Sequence, residues 1–223
     1  MVPPPALVIF DCDGVLVDSE VLEHAVDAEL LAPYGYLATV DELIDRFVGI
    51  ARRDMYATVF GGLGCEVPPG LLEERERQVW DRCVSDLTAI AGVHAALDGL
   101  AGIRKCVASS STPEKLAMKL QSTGLTPYFS PHIFSTALVA RGKPAPDIYL
   151  HAARTVGVPA ADCIVIEDSP HGVAGARAAG MTVYGFTGGG HATPALGASL
   201  KAAGARHVVG AMPDLPRLLL AHD

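Results

Sequence analysis

The sequence has no surplus of positive charge, no C-x-x-C pair, no long apolar run and no internal repeat. Each absence narrows the function. Over 223 residues, 25 acids outnumber 17 lysines and arginines, for a formal charge of −8. Nucleic-acid binding demands a basic surface, so that class is not expected. A phosphorylated small molecule stays open, because a metal and a few converging cations can serve it locally. The five cysteines (Cys12, Cys65, Cys83, Cys106, Cys163) are scattered and odd in number, which fits a reducing cytoplasm better than a disulfide framework. The opening "MVPPPALVIF" lacks a basic n-region and a long apolar stretch, so neither a signal peptide nor a membrane anchor is expected. No low-complexity tract appears, and half of the residues are apolar, ample for a core.

What is present is an alternation. Short apolar runs, "ALVIF" (6–10), "IRKCVAS" (103–109), "HIFST" (132–136), "CIVIED" (163–168), "MTVYGF" (181–186) and "RHVVG" (206–210), end in small or polar residues. Helix-like stretches such as "PEKLAMKLQSTG", "PDIYLHAARTVG" and "PHGVAGARAAG" lie between them, with Pro near the start and Gly at the end. Strand and helix in alternation predict a parallel, doubly wound, Rossmann-like α/β sheet. Ligands of such sheets sit outside the carboxyl ends of the strands. That rule selects Asp11, Ser109, the loop around Lys143, and Glu167 with Asp168.

Residues 19–88 read differently. "VLEHAVDAELLAPYG", "TVDELIDRFVG", "RRDMYATVFGG" and "PPGLLEERERQVWDRCVSDL" are helical patterns without a strand, and Thr39 with Glu42 forms a capping box. We expect a core of residues 1–18 and 89–223, with 19–88 inserted as an all-helical cap.

Four stretches carry the chemistry. In "FDCDGVLVDSE", Asp11 and Asp13 are two apart in extended chain, so both carboxylates face one side. A bare D-x-D-G is often only a turn, but a turn needs no buried-type strand before it. "VASSSTPEK" supplies hydroxyls at a strand tip. Ser111 or Thr112 would cap the following helix, which leaves Ser109 free beside helix N–H groups suited to a phosphate. Lys143 in "RGKPAPDIY" is braced by two prolines, against the plain alternative of a solvated loop lysine. "VIEDSPHG" sets Glu167 and Asp168 before a helix whose dipole alone would welcome acids. All four fall on one sheet edge. Together they offer carboxylate oxygens for Mg²⁺, a hydroxyl and a cation for phosphate oxygens, and a spare carboxylate, a set suited to phosphoryl transfer.

On "DCDGVL", "VASSS", "GKPAPD" and "VIEDS", in this order and over essentially the whole chain, the sequence resembles the haloacid dehalogenase-like hydrolases. The likeness is to capped members of the β-phosphoglucomutase and phosphoglycolate phosphatase group. The resemblance implies Asp11 as nucleophile forming an aspartyl-phosphate, and Asp13 as a general acid/base that rests protonated. It implies Mg²⁺ on Asp11, the Asp13 carbonyl and Asp168, with Glu167 helping. Ser109, Ser110 and Lys143 would bind phosphoryl oxygens. Glu20 at the hinge and Arg52 in the cap would meet the substrate, although "ARRD" also reads as a charged helix start. Asp13 argues against dehalogenases and phosphonatases, which lack a second aspartate. The mutases of the group carry a histidine where Glu23 stands; here His24 is one step off and points elsewhere. A phosphatase acting on a small phosphorylated metabolite is therefore expected, with a β-phosphoglucomutase-type mutase as the alternative. A receiver-like switch or a silent phosphosugar-binding relative ranks lower. His191 in "TGGGHATP" reads as a solvated loop residue, and Arg75 and Arg77 as surface.

Overall fold

The computed structural model describes residues 4–47 and 50–220. Strand β1 (Leu7–Phe10) leads into four helices, α1 (Ser19–Leu31), α2 (Val40–Phe47), α3 (Arg52–Gly62) and α4 (Leu71–Asp86). The alternation then runs α5 (Val93–Gly99), β2 (Arg104–Ser109), α6 (Pro113–Ser122), α7 (Thr126–Phe129), β3 (Ile133–Ser135) and α8 (Asp147–Val156). It closes with β4 (Cys163–Glu167), α9 (Pro170–Ala178), β5 (Thr182–Phe186), α10 (Leu196–Ala202), β6 (His207–Val209) and α11 (Leu215–Leu220). The expected strands and helices are all present. The last two residues of the second helical pattern, 48–49, lie outside the described residues. No described helix is long and apolar enough to cross a membrane.

The six strands are parallel and ordered β3-β2-β1-β4-β5-β6. Strand β1 is buried along its whole length because helices cover both faces. Its side chains alternate between two cores. Val8 and Phe10 join the cluster of Leu97, Leu116 and Phe129, while Leu7 and Ile9 join that of Ile148, Ala152 and Val173. The chain winds outward from β1 to β3, then crosses back to lay β4 on the other flank of β1. A reversal of this kind opens a crevice at the carboxyl ends of its two strands. Phe10 is in register with Val107 and Ile166, and Asp11 N–H bonds the Ile166 carbonyl at 3.0 Å, so Asp11 stands at that crevice beside Glu167.

The four helices between β1 and α5 pack on an apolar cluster of their own that includes Leu31, Phe47, Met55, Tyr56 and Phe60. The capping box forms as read: Glu42 Oε2 accepts from Thr39 N–H at 2.8 Å, and Thr39 Oγ1 accepts from Glu42 N–H at 3.2 Å. Where this helical block leaves and rejoins the core, the two chain segments pair as a short antiparallel seam. Asp18 N–H bonds the Thr88 carbonyl, and Ile90 N–H bonds the Leu16 carbonyl, both at 3.0 Å.

Candidate active site

Lys143 is the centre of the crevice. Its ammonium donates to Asp11 Oδ1 and to Glu167 Oε1, both at 2.6 Å. Burial would lower the lysine, but the two carboxylates outweigh it and hold the ammonium charged. Glu167 is fully buried, and four donors reach its two oxygens. Lys143 and Tyr149 Oη take Oε1, and the Ser169 N–H and hydroxyl take Oε2. A carboxylate has about four acceptor sites, so this one is filled. Glu167 therefore aims Lys143 at Asp11.

Asp11 and Asp168 keep one oxygen each without a hydrogen-bond donor among the described residues, Asp11 Oδ2 and Asp168 Oδ1. Ligand atoms of Asp11, Glu167 and Asp168 lie within 4.8 Å of one another. Burial is the largest influence on both aspartates and pushes their carboxyls up; Lys143 opposes it at Asp11, and His191 opposes it at Asp168. Three crowded carboxylates beside one lysine are short of positive charge, and hard oxygen donors of this kind fit a divalent cation. Gly14 makes the close approach possible. It has a φ of +72°, and a Cβ there would sit 1.9 Å from Asp168 Oδ2.

Asp13 turns to the other side of the same cavity, which has a volume of about 600 Å³. Its Oδ1 accepts from Ser19 Oγ at 2.6 Å and from Lys119 Nζ at 2.5 Å, and its Oδ2 accepts from Ser111 Oγ at 2.8 Å. Burial alone would raise Asp13, but the Lys119 ammonium and these hydrogen bonds outweigh it and hold the carboxyl at about 2. This reverses the expectation that Asp13 rests protonated, because that expectation had no lysine beside it.

The other predicted residues divide. Ser110 lies on the cavity wall with Ser111 and Thr112. Ser109 ends β2 but is fully buried, and its Oγ accepts the Ser111 N–H at 3.0 Å; it shapes the loop from below. Thr112, not Ser111, caps α6. Glu20 and Glu23 line the cavity from α1, while the neighbouring His24 is buried away from it. Arg52 stands behind that wall. It donates to Glu20 Oε2 at 3.1 Å and lies 3.6 Å from both Glu23 and Asp27.

Three side chains stand where the sequence reading did not put them. Arg75 is the largest fully buried side chain among the described residues, donating at 2.8 Å to Asp27, Glu23 and Glu76. His191 is buried on the cavity wall with Nε2 3.0 Å from Asp168 Oδ2. Its loop comes this close because Gly189 has no Cβ, which would otherwise fall 2.8 Å from the Gly14 carbonyl oxygen. The glycine run before His191 was the available signal. Lys119 was not singled out at all, and only its place beside the Leu116/Leu120 stripe of α6 hinted at burial.

Comparison with known proteins agrees with this fold. The sequence profile described as haloacid dehalogenase-like hydrolase matches residues 5–180. The 6-phosphogluconate phosphatase of Escherichia coli (strain K12) is 30% identical over 188 residues, covering 84% of this chain and 85% of that protein. A crystal structure of a conserved haloacid dehalogenase-like protein from Agrobacterium tumefaciens str. C58 superposes with a TM-score of 0.89 at 42% identity, covering 96% of this chain and 97% of that one. A hydrolase of the same family from Deinococcus radiodurans R1, crystallised with bound phosphate and sodium, superposes with a TM-score of 0.87 at 34% identity and covers 99% of both chains. With this match over most of its length and a parallel sheet of the same architecture, the chain belongs to the haloacid dehalogenase-like hydrolase family.

Proposed function

We propose that the protein is a Mg²⁺-dependent phosphatase that hydrolyses a small phosphorylated metabolite, a sugar phosphate or related phosphomonoester, through an aspartyl-phosphate. One observation carries the reading. Asp11 has one oxygen held by Lys143 and the other open to a cavity that Asp13, Ser110 and Asp168 also line. The related Deinococcus protein holds phosphate, and the E. coli relative is named for a phosphorylated sugar acid.

Asp11 through Oδ1, which keeps an acceptor site beside Lys143, and Asp168, with the Asp13 carbonyl, would hold Mg²⁺ and leave Asp11 Oδ2 free; Glu167 has no acceptor site to spare and serves through Lys143. The ion would supply positive charge to the phosphoryl oxygens and to Asp11. The chain's own residues do the rest. Asp11 Oδ2 attacks phosphorus, while Lys143, Ser110 and the backbone of the 109–112 loop hold the equatorial oxygens. Asp13, ionised in the free site, would take up a proton from solvent as the substrate enters, hand it to the leaving oxygen, and then take one from the water that cleaves the aspartyl-phosphate. Helices α1–α4 form the cap, whose Glu20 and Glu23 face the organic part of the substrate as hydrogen-bond acceptors. Glu23 in place of a histidine favours water over a sugar hydroxyl as the acceptor. A reducing compartment, the cytoplasm, suits five unpaired cysteines.

The test is phosphate release from a panel of phosphorylated metabolites with Mg²⁺ and with EDTA, alongside acid-quench trapping of the phosphoenzyme. Release from at least one sugar phosphate, lost on chelation, is expected. Conversion of β-glucose 1-phosphate to glucose 6-phosphate without phosphate release would overturn the phosphatase reading.

A further inference from the structure

Lys119 is a buried cation with no task in the mechanism above. It rises from α6 to the cavity wall, is 2% exposed, and meets two carboxylates from different parts of the fold. Its Nζ is 2.5 Å from Asp13 Oδ1 and 3.5 Å from Glu23 Oε1. Glu23 is itself anchored by Arg75 at 2.8 Å. A lysine costs several kcal/mol to bury unless its partners are well placed, so the pairing with Asp13 calls for a function.

The hydrogen bonds of Asp13 supply one. Each carboxylate oxygen offers two acceptor sites. Oδ1 receives both Ser19 Oγ and Lys119 Nζ and is filled; among the described residues Oδ2 receives Ser111 Oγ alone and keeps one site open. The terminal torsion of an aspartate is broad and two-fold, so nothing in the side chain itself decides which oxygen faces outward. The donors decide it.

We propose that Lys119 is a positioning residue for Asp13: together with Ser19 it pins Oδ1, so that Oδ2 presents its open site to the leaving-group oxygen. Glu23 completes the arrangement by fixing the ammonium from α1. Proton transfer at Asp13 is thereby tied to α1 lying against the core. This assignment deepens the phosphatase reading and rests on it. Asp13, ionised in the free site, takes up a proton at Oδ2 from solvent as the substrate enters; that proton passes to the leaving oxygen as the P–O bond breaks, and Lys119 keeps its own protons throughout.

The experiment compares kcat/KM for p-nitrophenyl phosphate with kcat/KM for an alkyl phosphomonoester, in saturating Mg²⁺. This ratio reports phosphoryl transfer to Asp11, and only the alkyl leaving group needs a proton. General acid catalysis contributes about 10²–10⁴-fold. Lys119→Met should therefore lose about 30–100-fold on the alkyl ester and less than about 5-fold on the aryl ester. Ser19→Ala, which removes the other Oδ1 donor without touching a charge, should move the ratio the same way by less. It also carries the test if Lys119→Met does not fold. Asp13→Asn serves as the reference for a lost acid. If Asp13→Asn shifts the ratio while Lys119→Met and Ser19→Ala lower both substrates equally, the phosphatase reading stands and the positioning role fails. A gain on the alkyl ester in Lys119→Met overturns it as well. If the wild-type protein turns over neither substrate, the phosphatase reading fails and the Lys119 assignment falls with it.

Discussion

Around Asp11, three carboxylates (Asp11, Glu167, Asp168) face one lysine at the end of the sheet. Around Asp27, inside the helical block, Asp27 and Glu23 face Arg52 and Arg75. Both groups are largely withdrawn from water, and both are tied by short hydrogen bonds. They differ in balance. The first sets three carboxylates against Lys143 and the His191 contact of Asp168 and leaves oxygens open to the cavity. In the second, Glu20 and Glu76 join Asp27 and Glu23, Lys115 and Lys119 join the two arginines, and Arg75 has a partner at each of its three nitrogens. Uncompensated charge persists in a fold where a ligand completes it; compensated charge holds elements together. The first cluster therefore has the form of a ligand site and the second that of a clasp. Removing a charge should affect them in opposite ways.

The largest effect is expected at Asp11. Asp11→Asn should abolish turnover and phosphoenzyme formation, yet raise the melting temperature, since it relieves repulsion among three carboxylates. A fall in melting temperature would make this cluster a clasp too. Next comes Arg75→Met, which leaves Asp27 and Glu23 buried without their partner. Breaking such a pair costs about 3–5 kcal/mol, or on the order of 10 °C in melting temperature for a chain of this size. A shift of a degree or two would break the comparison from the other side. Adding Mg²⁺ should sharpen it. At a hundredfold excess over Kd a ligand stabilises by about 2.7 kcal/mol, so a thermal scan should rise by roughly 5–10 °C. Asp168→Asn should abolish that rise, and Arg75→Met should leave it intact.

The smallest effect is one of pH. Burial, then the Arg52 cation, lower His24 from 6.5 to about 4, against the opposing pull of Asp27. The unfolded chain therefore takes up a proton that the folded chain refuses, and stability falls as pH drops from 6.5 towards 4. His24→Gln should flatten this part of the pH–melting curve while leaving the values above pH 7 close to wild type. An unchanged acid limb would place the loss at other groups.

The frame of this comparison was legible in the sequence; the pairings inside it were not. The strands announced themselves because parallel strands covered on both faces are continuous apolar runs, and the four acidic, hydroxyl and lysine motifs all followed such runs. Thr39 and Glu42 were readable because a capping box is local. Arg75 sits in "LEERERQ", which has the look of a solvated stripe, and its burial depends on Asp27 and Glu23 from another helix. Lys119 is 106 residues from Asp13, and its helix shows it only as one charge among several. His191 is placed by a glycine run whose purpose appears only when Gly14 stands opposite. Local rules identify elements, whereas buried ion pairs are settled by which elements meet.

The paired seam at Asp18–Thr88 and Leu16–Ile90 bears on how such a chain can change over time. The entry and exit of the helical block are already side by side, so for the core the whole block is a loop whose ends are held at no distance. Closing a loop costs only logarithmically more as it lengthens, and the core spends little to carry a large insert there. The block can be exchanged, shortened or enlarged while Asp11, Lys143 and Asp168 stay where the sheet puts them. Under the phosphatase reading proposed above, new substrate ranges can then arise by grafting at one splice point, with the chemistry of the sheet edge inherited unchanged.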